Sequence, residues 1–302
     1  MPNAGYTFRD RVGPGDQGRN ALEFYLRHHP GPGPEEWRRR LAVGLVFRDG
    51  VQLRGDEPLA AGDRLEYRRP PWEEPRVPLD APVLYADGSL VVFHKPAGLP
   101  MTPGAGCLEH TLLFQARIAW GPGLRPVHRL DTGTSGAVAF ARDAATARRL
   151  HAAFLRQEVR KVYRGRVMGT ELPDRFVVDL PMGPVPYPPL GFVSGVVAEG
   201  GRPAVTEGEV VRREPGTGES LVELRPRTGR SQQLRVHLAW SGWPLAGDRL
   251  YGPGGLRWPL PPGEVPSRPG DGGFRLHAWR LVLPGGDGRV VAVEAPLPED
   301  LL

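Results

Sequence analysis

"HRLDTGTSGAVAFAR", residues 128–142, joins two kinds of sequence. Its first half sets His128 and Arg129 directly before the carboxylate of Asp131, then passes through small, turn-forming Thr, Gly and Ser. Its second half, GAVAFAR, alternates like a β-strand, and Asp143 just beyond it is a natural helix N-cap. A titratable ring and a guanidinium beside a carboxylate suit an anionic substrate better than a neutral peptide. The segment therefore reads as a strand entered through a loop that carries chemistry.

On the N-terminal side of this strand, VLYADGSLVVFHKPAGLP (83–100) reads as strand, Asp87-Gly88 turn and strand, broken at Lys95-Pro96. HTLLFQARIAWG (110–121) reads as a helix. On the C-terminal side, the helix capped by Asp143 lines up Ala147, Leu150 and Phe154 on one side and Arg148, Arg149 and Arg156 on another. RKVYRGRVMG (160–169), EGEVVRR (207–213), SLVELRPR (220–227) and LHAWRLVL (276–283) read as strands, and SQQLRVHLAWSG (231–242) as a helix. These elements do not alternate as in a βαβ array. The fold class is α+β, a mixed and mainly antiparallel sheet with flanking helices. The Pro/Gly-rich stretches 181–202 and 252–273 read as long loops, and no internal repeat is found.

RPPWEEPRVPLD (69–80) holds four prolines in twelve positions and reads as a linker, which divides the chain into residues 1–70, a connection at 71–80, and residues 81–302. The first part is a small α/β unit. NALEFYLRHH puts Leu22, Tyr25 and Leu26 on one helical face after an Asn20 cap, and PEEWRRRLAVG runs from Pro34 to Gly44 with Trp37 and Leu41 at i, i+4. LVFRDGVQLRG then reads as a hairpin turning at Asp49-Gly50. A chain of 302 residues has room for such a unit beside a larger domain.

The net charge of +5 and pI near 9.7 favour a polyanionic partner, nucleic acid or an acidic membrane surface. Of 39 basic residues only Lys95 and Lys161 are lysine, and Ile118 is the single isoleucine. That pattern looks like GC-rich coding bias, so arginine abundance says little about phosphate binding. The lone Cys107 excludes an internal disulfide, and the eight histidines contain no H-x-x-x-H or H-E-x-x-H pair, so no metal is expected. With no apolar run of signal-peptide or membrane-spanning length, the reading is a soluble cytoplasmic protein, with a monomer as the default.

Asp131-Thr132-Gly133-Thr134-Ser135 also spells the signature of a pepsin-like aspartic protease. Such an enzyme needs two aspartates sharing one proton. No second Asp-Thr-Gly or Asp-Ser-Gly exists; ADGSL, PGDGGF and GGDGRV have the wrong order, and Arg129 would discourage a shared proton. The protease reading fails on the missing partner.

From about 82 to 301 the chain resembles the RluA-type pseudouridine synthases in five ordered stretches: FHKPAGLP, HRLDTGTSGAVAFAR, RKVYRGRVMG, RPRTGRSQQLRVHLAWSGWPLAGDRLYG, and LHAWRLVL followed by APLPEDL. The helix pair and hairpin at the start, with Arg38, Arg39 and Arg40 on the second helix, resemble the alpha-L RNA-binding domain shared by a ribosomal small-subunit protein and several RNA-modifying enzymes. The resemblance implies an isomerase that turns RNA uridines into pseudouridine without a cofactor, with Asp131 as the catalytic residue. It implies ribosomal RNA, chiefly of the large subunit, ahead of transfer RNA. An alternative from another class is an RNA-binding or ribosome-assembly factor that keeps the fold without the chemistry; intact Asp131, Tyr163 and Arg235 favour the enzyme.

In that scheme Asp131 must be ionised in a dry pocket, so a nearby cation is expected to hold its pKa down. Arg235 is given that pairing and Arg230, before the helix, a phosphate contact, though the two roles are exchangeable. By the two-residue period, Lys161, Tyr163 and Gly165 share one strand face. Tyr163 would stack on an extruded uridine and assist removal of the C5 proton, the duller reading being half-buried sheet packing. Arg129, Lys95, Lys161, Arg38 and Arg39 complete the expected RNA contacts, with Lys95 alternatively lining the cleft rim. His128 and His237 are expected to be structural hydrogen-bonders, and Tyr251 core. Three departures stand out against the family pattern: His94 for asparagine, Gly165 for alanine, and Gln232 for histidine. Glutamine does not titrate near neutrality, so position 232 supplies neither acid nor base.

Overall fold

Short strands rich in charge build the first unit of the computed structural model, which describes residues 2–29, 31–104, 106–286 and 289–302. The chain divides between Glu74 and Pro75, inside the proline-rich 69–80. In the first unit, strand β1 (Tyr6–Arg11), helices α1 (Ala21–His28) and α2 (Gly33–Ala42), and strands β2 (Val46–Arg48), β3 (Val51–Gln52) and β4 (Arg64–Arg69) form a sheet of order β1-β4-β2-β3 with two helices. Trp37 stacks on Tyr25 at 4.3 Å within a core that includes Phe24, Leu41, Leu65 and Tyr67. Asn20 occupies the N-cap of α1 without a side-chain cap bond; Asp56 instead accepts the Leu22 N–H at 2.8 Å. The sequence reading found α1, α2 and the β2–β3 hairpin but not β1 or β4. In YTFRDR three of six residues are charged and in RLEYRR four of six, which hides the strand pattern.

The second unit runs through β5 (Val83–Ala86), β6 (Leu90–Lys95), α3 (Leu112–Trp120), β7 (Arg125–Pro126), β8 (Ser135–Ala141), α4 (Ala144–Leu155), β9 (Arg160–Met168), β10 (Arg175–Asp179), β11 (Met182–Tyr187) and β12 (Gly191–Val196). It continues with β13 (Val205–Glu214), β14 (Glu219–Pro226), α5 (Gln233–Trp240), β15 (Tyr251–Gly252), β16 (Gly255–Leu256), β17 (Leu276–Pro284) and β18 (Val290–Glu294). The main sheet has the order β10-β13-β14-β9-β17-β8-β6-β5, with β18 on β17 and β7 on β8. All its pairs are antiparallel except β17 with β8.

GAVAFA in β8 is buried along both faces, and its alternation separates them. Val138 and Phe140 enter a large core with Phe93, Leu112 and Leu224; Ala137, Ala139 and Ala141 face Ala147, Leu150 and Ala153 of α4. Small side chains on one face let the helix approach the sheet closely. Gly136 is required where β8 meets β17: its φ is +115°, and a Cβ there would lie 2.3 Å from the Ala278 carbonyl oxygen. The Asp131 loop is thereby seated at the start of the sheet's central strands.

One expectation is corrected. Much of 181–202 is the β11–β12 hairpin rather than a loop, pairing Met182 with Val196 through Tyr187 with Gly191. Pro184 and Pro186 are tolerated because a two-stranded ribbon leaves each strand an unpaired edge, where no ladder N–H is needed. A short β15–β16 pair opens the 252–273 stretch in the same way. Among the described residues no helix is long and apolar enough to cross a membrane, and no cluster of three His, Cys, Asp or Glu is grouped to hold a metal.

Candidate active site

Asp131 lies in the loop between β7 and β8, where the Thr134 N–H donates to its carbonyl at 3.0 Å and closes a turn. The next residue is clamped twice: the Thr132 carbonyl accepts the Gly98 N–H at 2.7 Å and Lys95 Nζ at 3.0 Å. Lys95 also donates to the carbonyls of Leu99 at 2.8 Å and Pro96 at 2.9 Å, so all three ammonium donors are used. It is wholly buried, and burial lowers its pKa to about 7 against the opposing pull of Asp131. This corrects the sequence reading of Lys95 as an RNA contact. It is an internal tie between the turn after β6 and the Asp131 loop.

α5 supplies the guanidinium. Arg235 is 2% exposed, and its Nε and Nη2 fork onto Asp248, itself 1% exposed, at 2.7 and 2.9 Å. Nη1 donates to the Pro269 carbonyl at 2.9 Å and stands 3.9 Å from Asp131 Oδ2. Burial opposes the Arg235 charge, but the Asp248 hydrogen bonds more than offset that and hold it protonated. Asp248 in turn accepts the N–H groups of Leu250 and Tyr251 at 3.0 and 3.1 Å. Sequence reading missed Asp248 altogether; its signal was an unassigned carboxylate in AGDRLYG, thirteen residues beyond Arg235.

Asp131, Arg129, Lys161, Tyr163, Arg230 and Gln232 all line one cleft of about 300 Å³. The Asp131 side chain is 18% exposed, at the cleft wall. Burial raises its pKa above the ordinary 3.8, while Arg235, Arg129, a Gln232 hydrogen bond and Lys95 pull the other way. The expected net lowering by a neighbouring cation does not occur: at 3.9 Å Arg235 is beyond hydrogen-bond range and already committed to Asp248, so desolvation wins. The carboxylate is a poorly solvated and correspondingly reactive anion once deprotonated.

Arg235, not Arg230, is the arginine beside Asp131; Arg230 Nε instead donates to the Pro203 carbonyl at 3.0 Å. Tyr163 on β9 is buried, and burial, then the charge of Asp131, pushes its phenol up, so the hydroxyl stays protonated at neutral pH. Its neighbour along the face, Lys161, reaches the Thr228 carbonyl at 3.4 Å, and burial lowers its pKa to about 8. Arg129 is exposed at the cleft rim. On α2 of the first unit Arg38 is exposed, and Arg39 forks onto Glu36 with two bonds of 2.8 Å.

The remaining polar side chains are structural. His128 accepts the Ala139 N–H at 3.0 Å, and burial, with Lys161 adding to it, lowers its pKa to about 3. His237 bonds Thr206 at 3.0 Å and the Leu180 carbonyl at 3.1 Å. Tyr251 is buried. Gln233 Oε1 accepts from Thr228 Oγ1 at 2.7 Å and the Arg230 N–H at 3.0 Å, and its Nε2 donates to Val205 and Thr206 at 3.0 Å each. That staple holds the segment preceding α5 against the sheet. Gly165 leaves little room: a Cβ there would sit 3.1 Å from Leu245 and 3.3 Å from Leu276.

The site thus offers a carboxylate without a tight counter-ion, a buried phenol beside it, a fixed guanidinium behind it and cations at the rim. A family model described as RNA pseudouridylate synthase matches residues 89–240. An uncharacterised RNA pseudouridine synthase of Synechocystis sp. is 38% identical over 283 residues, covering 93% of this chain and 95% of that one. The dual-specificity RNA pseudouridine synthase RluA of Escherichia coli (strain K12) is 40% identical over 170 residues, 56% of this chain and 76% of that one. The human RNA pseudouridylate synthase domain containing 1 structure superposes with a TM-score of 0.57 at 26% identity, covering 76% of this chain and 89% of that one.

Proposed function

The chain belongs to the RluA-type RNA pseudouridine synthases, a family of isomerases, and from that premise we propose that Asp131 is the nucleophile that isomerises specific uridines of ribosomal RNA. Asp131 attacks C1′ of an extruded uridine as the N1–C1′ bond breaks, with its electron pair leaving on the uracil ring. The base turns over, C5 bonds to C1′ and expels the carboxylate, the C5 proton departs and N1 regains one. The product is an isomer, so the reaction needs no redox partner.

The observation that carries the reading is Asp131 at the wall of a cleft, raised in pKa by burial and faced at 3.9 Å by a guanidinium that Asp248 holds in place. Tyr163 supports it as a surface for the extruded base and a protonated hydroxyl near the reacting atoms. Arg129, Arg230 and Lys161 are placed to take phosphates, and Arg38 and Arg39 extend RNA binding to the first unit. Large-subunit ribosomal RNA is favoured over transfer RNA by the likeness of that unit to an alpha-L domain. Carbodiimide mapping of total RNA from cells with and without the protein tests this. One or a few ribosomal uridines should lose their mark in its absence; an unchanged ribosomal map with changed transfer RNA positions moves the substrate, and no change at all contradicts the proposal.

A further inference from the structure

Three residues other than glycine have positive φ among the described residues: Asp49, Gln157 and Gln232. Asp49 is in the β2–β3 turn and Gln157 follows the C-terminus of α4, both ordinary places for a left-handed residue. Gln232 has no such excuse. It is the N-cap of α5, where extended backbone is the norm, yet its φ is 52° and ψ 20°, and its side chain caps nothing. The side chain is turned into the cleft instead, where it hydrogen-bonds Asp131.

We propose that Gln232 is a positioning residue that aims the Asp131 carboxylate at the reacting carbon, and that its left-handed backbone is retained because that conformation delivers the amide to the cleft. The inference rests on the catalytic reading of Asp131. Arg235 cannot take this task, since its donors are spent on Asp248 and Pro269 and its nearest approach to Asp131 is 3.9 Å. The strained conformation is affordable because the residue beside it is anchored by four hydrogen bonds through Gln233. An amide also suits the purpose chemically. It orients the anion without a formal charge that would quench its nucleophilicity, and it does so at every pH. The charged or titratable groups facing Asp131 are Arg235, Arg129, Lys95 and Tyr163.

Gln232→Gly separates positioning from packing, because glycine relaxes the left-handed backbone while removing the amide. With a substrate RNA in single turnover, Gln232→Gly and Gln232→Ala should each lose about tenfold or more in rate, the worth of one hydrogen bond to a charged group. The acid limb of the rate profile should move to higher pH, RNA affinity should stay within about threefold, and the glycine variant should melt no lower than wild type. Gln232→His, which restores a donor, should recover part of the rate. Wild-type rates and an unmoved acid limb in the glycine and alanine variants overturn the inference. Asp131→Asn is run alongside: activity in that variant overturns the reading of Asp131 and the inference with it, whereas an inactive Asp131→Asn beside fully active Gln232 variants overturns the inference alone.

Discussion

Replacing Arg235 by lysine keeps a positive charge and removes the fork that shares it between two carboxylates. The native guanidinium forks onto Asp248 at 2.7 and 2.9 Å and still presents Nη1 at 3.9 Å from Asp131. A single ammonium cannot span both. At an effective dielectric near 20, two unit charges 3.9 Å apart attract by about 4 kcal/mol. A lysine drawn to Asp248 would stand at roughly 6 Å from Asp131, where the same expression gives about 3 kcal/mol. The difference, between about 1 and 1.5 kcal/mol, is close to tenfold in the ionised fraction of Asp131 on the acid side of its titration. The loss of the second Asp248 bond and of the Pro269 contact costs about 2–4 kcal/mol of stability, since Arg235 and Asp248 are 2% and 1% exposed and water cannot replace the bonds. Urea unfolding and single-turnover rates across acid to neutral pH read both quantities. A lysine variant with the wild-type acid limb and wild-type stability would refute the idea that this guanidinium sets the state of Asp131.

Asp131→Asn should raise the melting temperature at neutral pH. The folded pKa lies above the unfolded 3.8, so the ionised carboxylate destabilises the native state; that penalty is absent below 3.8 and grows as pH rises through the folded pKa, and the variant's advantage should vanish in acid when melting is followed against pH. RNA affinity should fall as pH rises through about 8, where Lys161 loses its proton, and Lys161→Arg should flatten that fall in a binding titration. Gly136→Ala should cost about 3 kcal/mol or more in a urea titration, because the added Cβ meets the Ala278 carbonyl at 2.3 Å with φ at +115°.

The sheet and the site were legible to different depths. Strands such as β8 and β9 announce themselves because period-two patterning survives burial, and Thr111 and Asp143 mark α3 and α4 with cap bonds that form as their sequences imply. β1 and β4 were hidden by charge, and β11 by prolines that only an unpaired edge admits. Asp131, Arg129, Tyr163, Lys161, Arg230 and Gln232 meet in one cleft although they come from three separate stretches of chain. Lys95 was misplaced because a lysine before proline looks like a surface residue, and only the three carbonyls that converge on it reveal the buried tie. Asp248 was invisible for a related reason: its meaning depends on a partner thirteen residues away whose direction no spacing rule fixes. The sign of the Asp131 shift is a contest between desolvation and several cations, and sequence supplies the cations without the distances.

Conversion of a uridine-containing ribosomal RNA fragment by wild type and by Asp131→Asn, measured in single turnover beside a binding titration, probes the chemistry most directly. Pseudouridine should form with the wild type and be undetectable with the variant, while RNA affinity changes by no more than a few-fold. Pseudouridine formed by Asp131→Asn at a rate comparable with wild type would contradict the account.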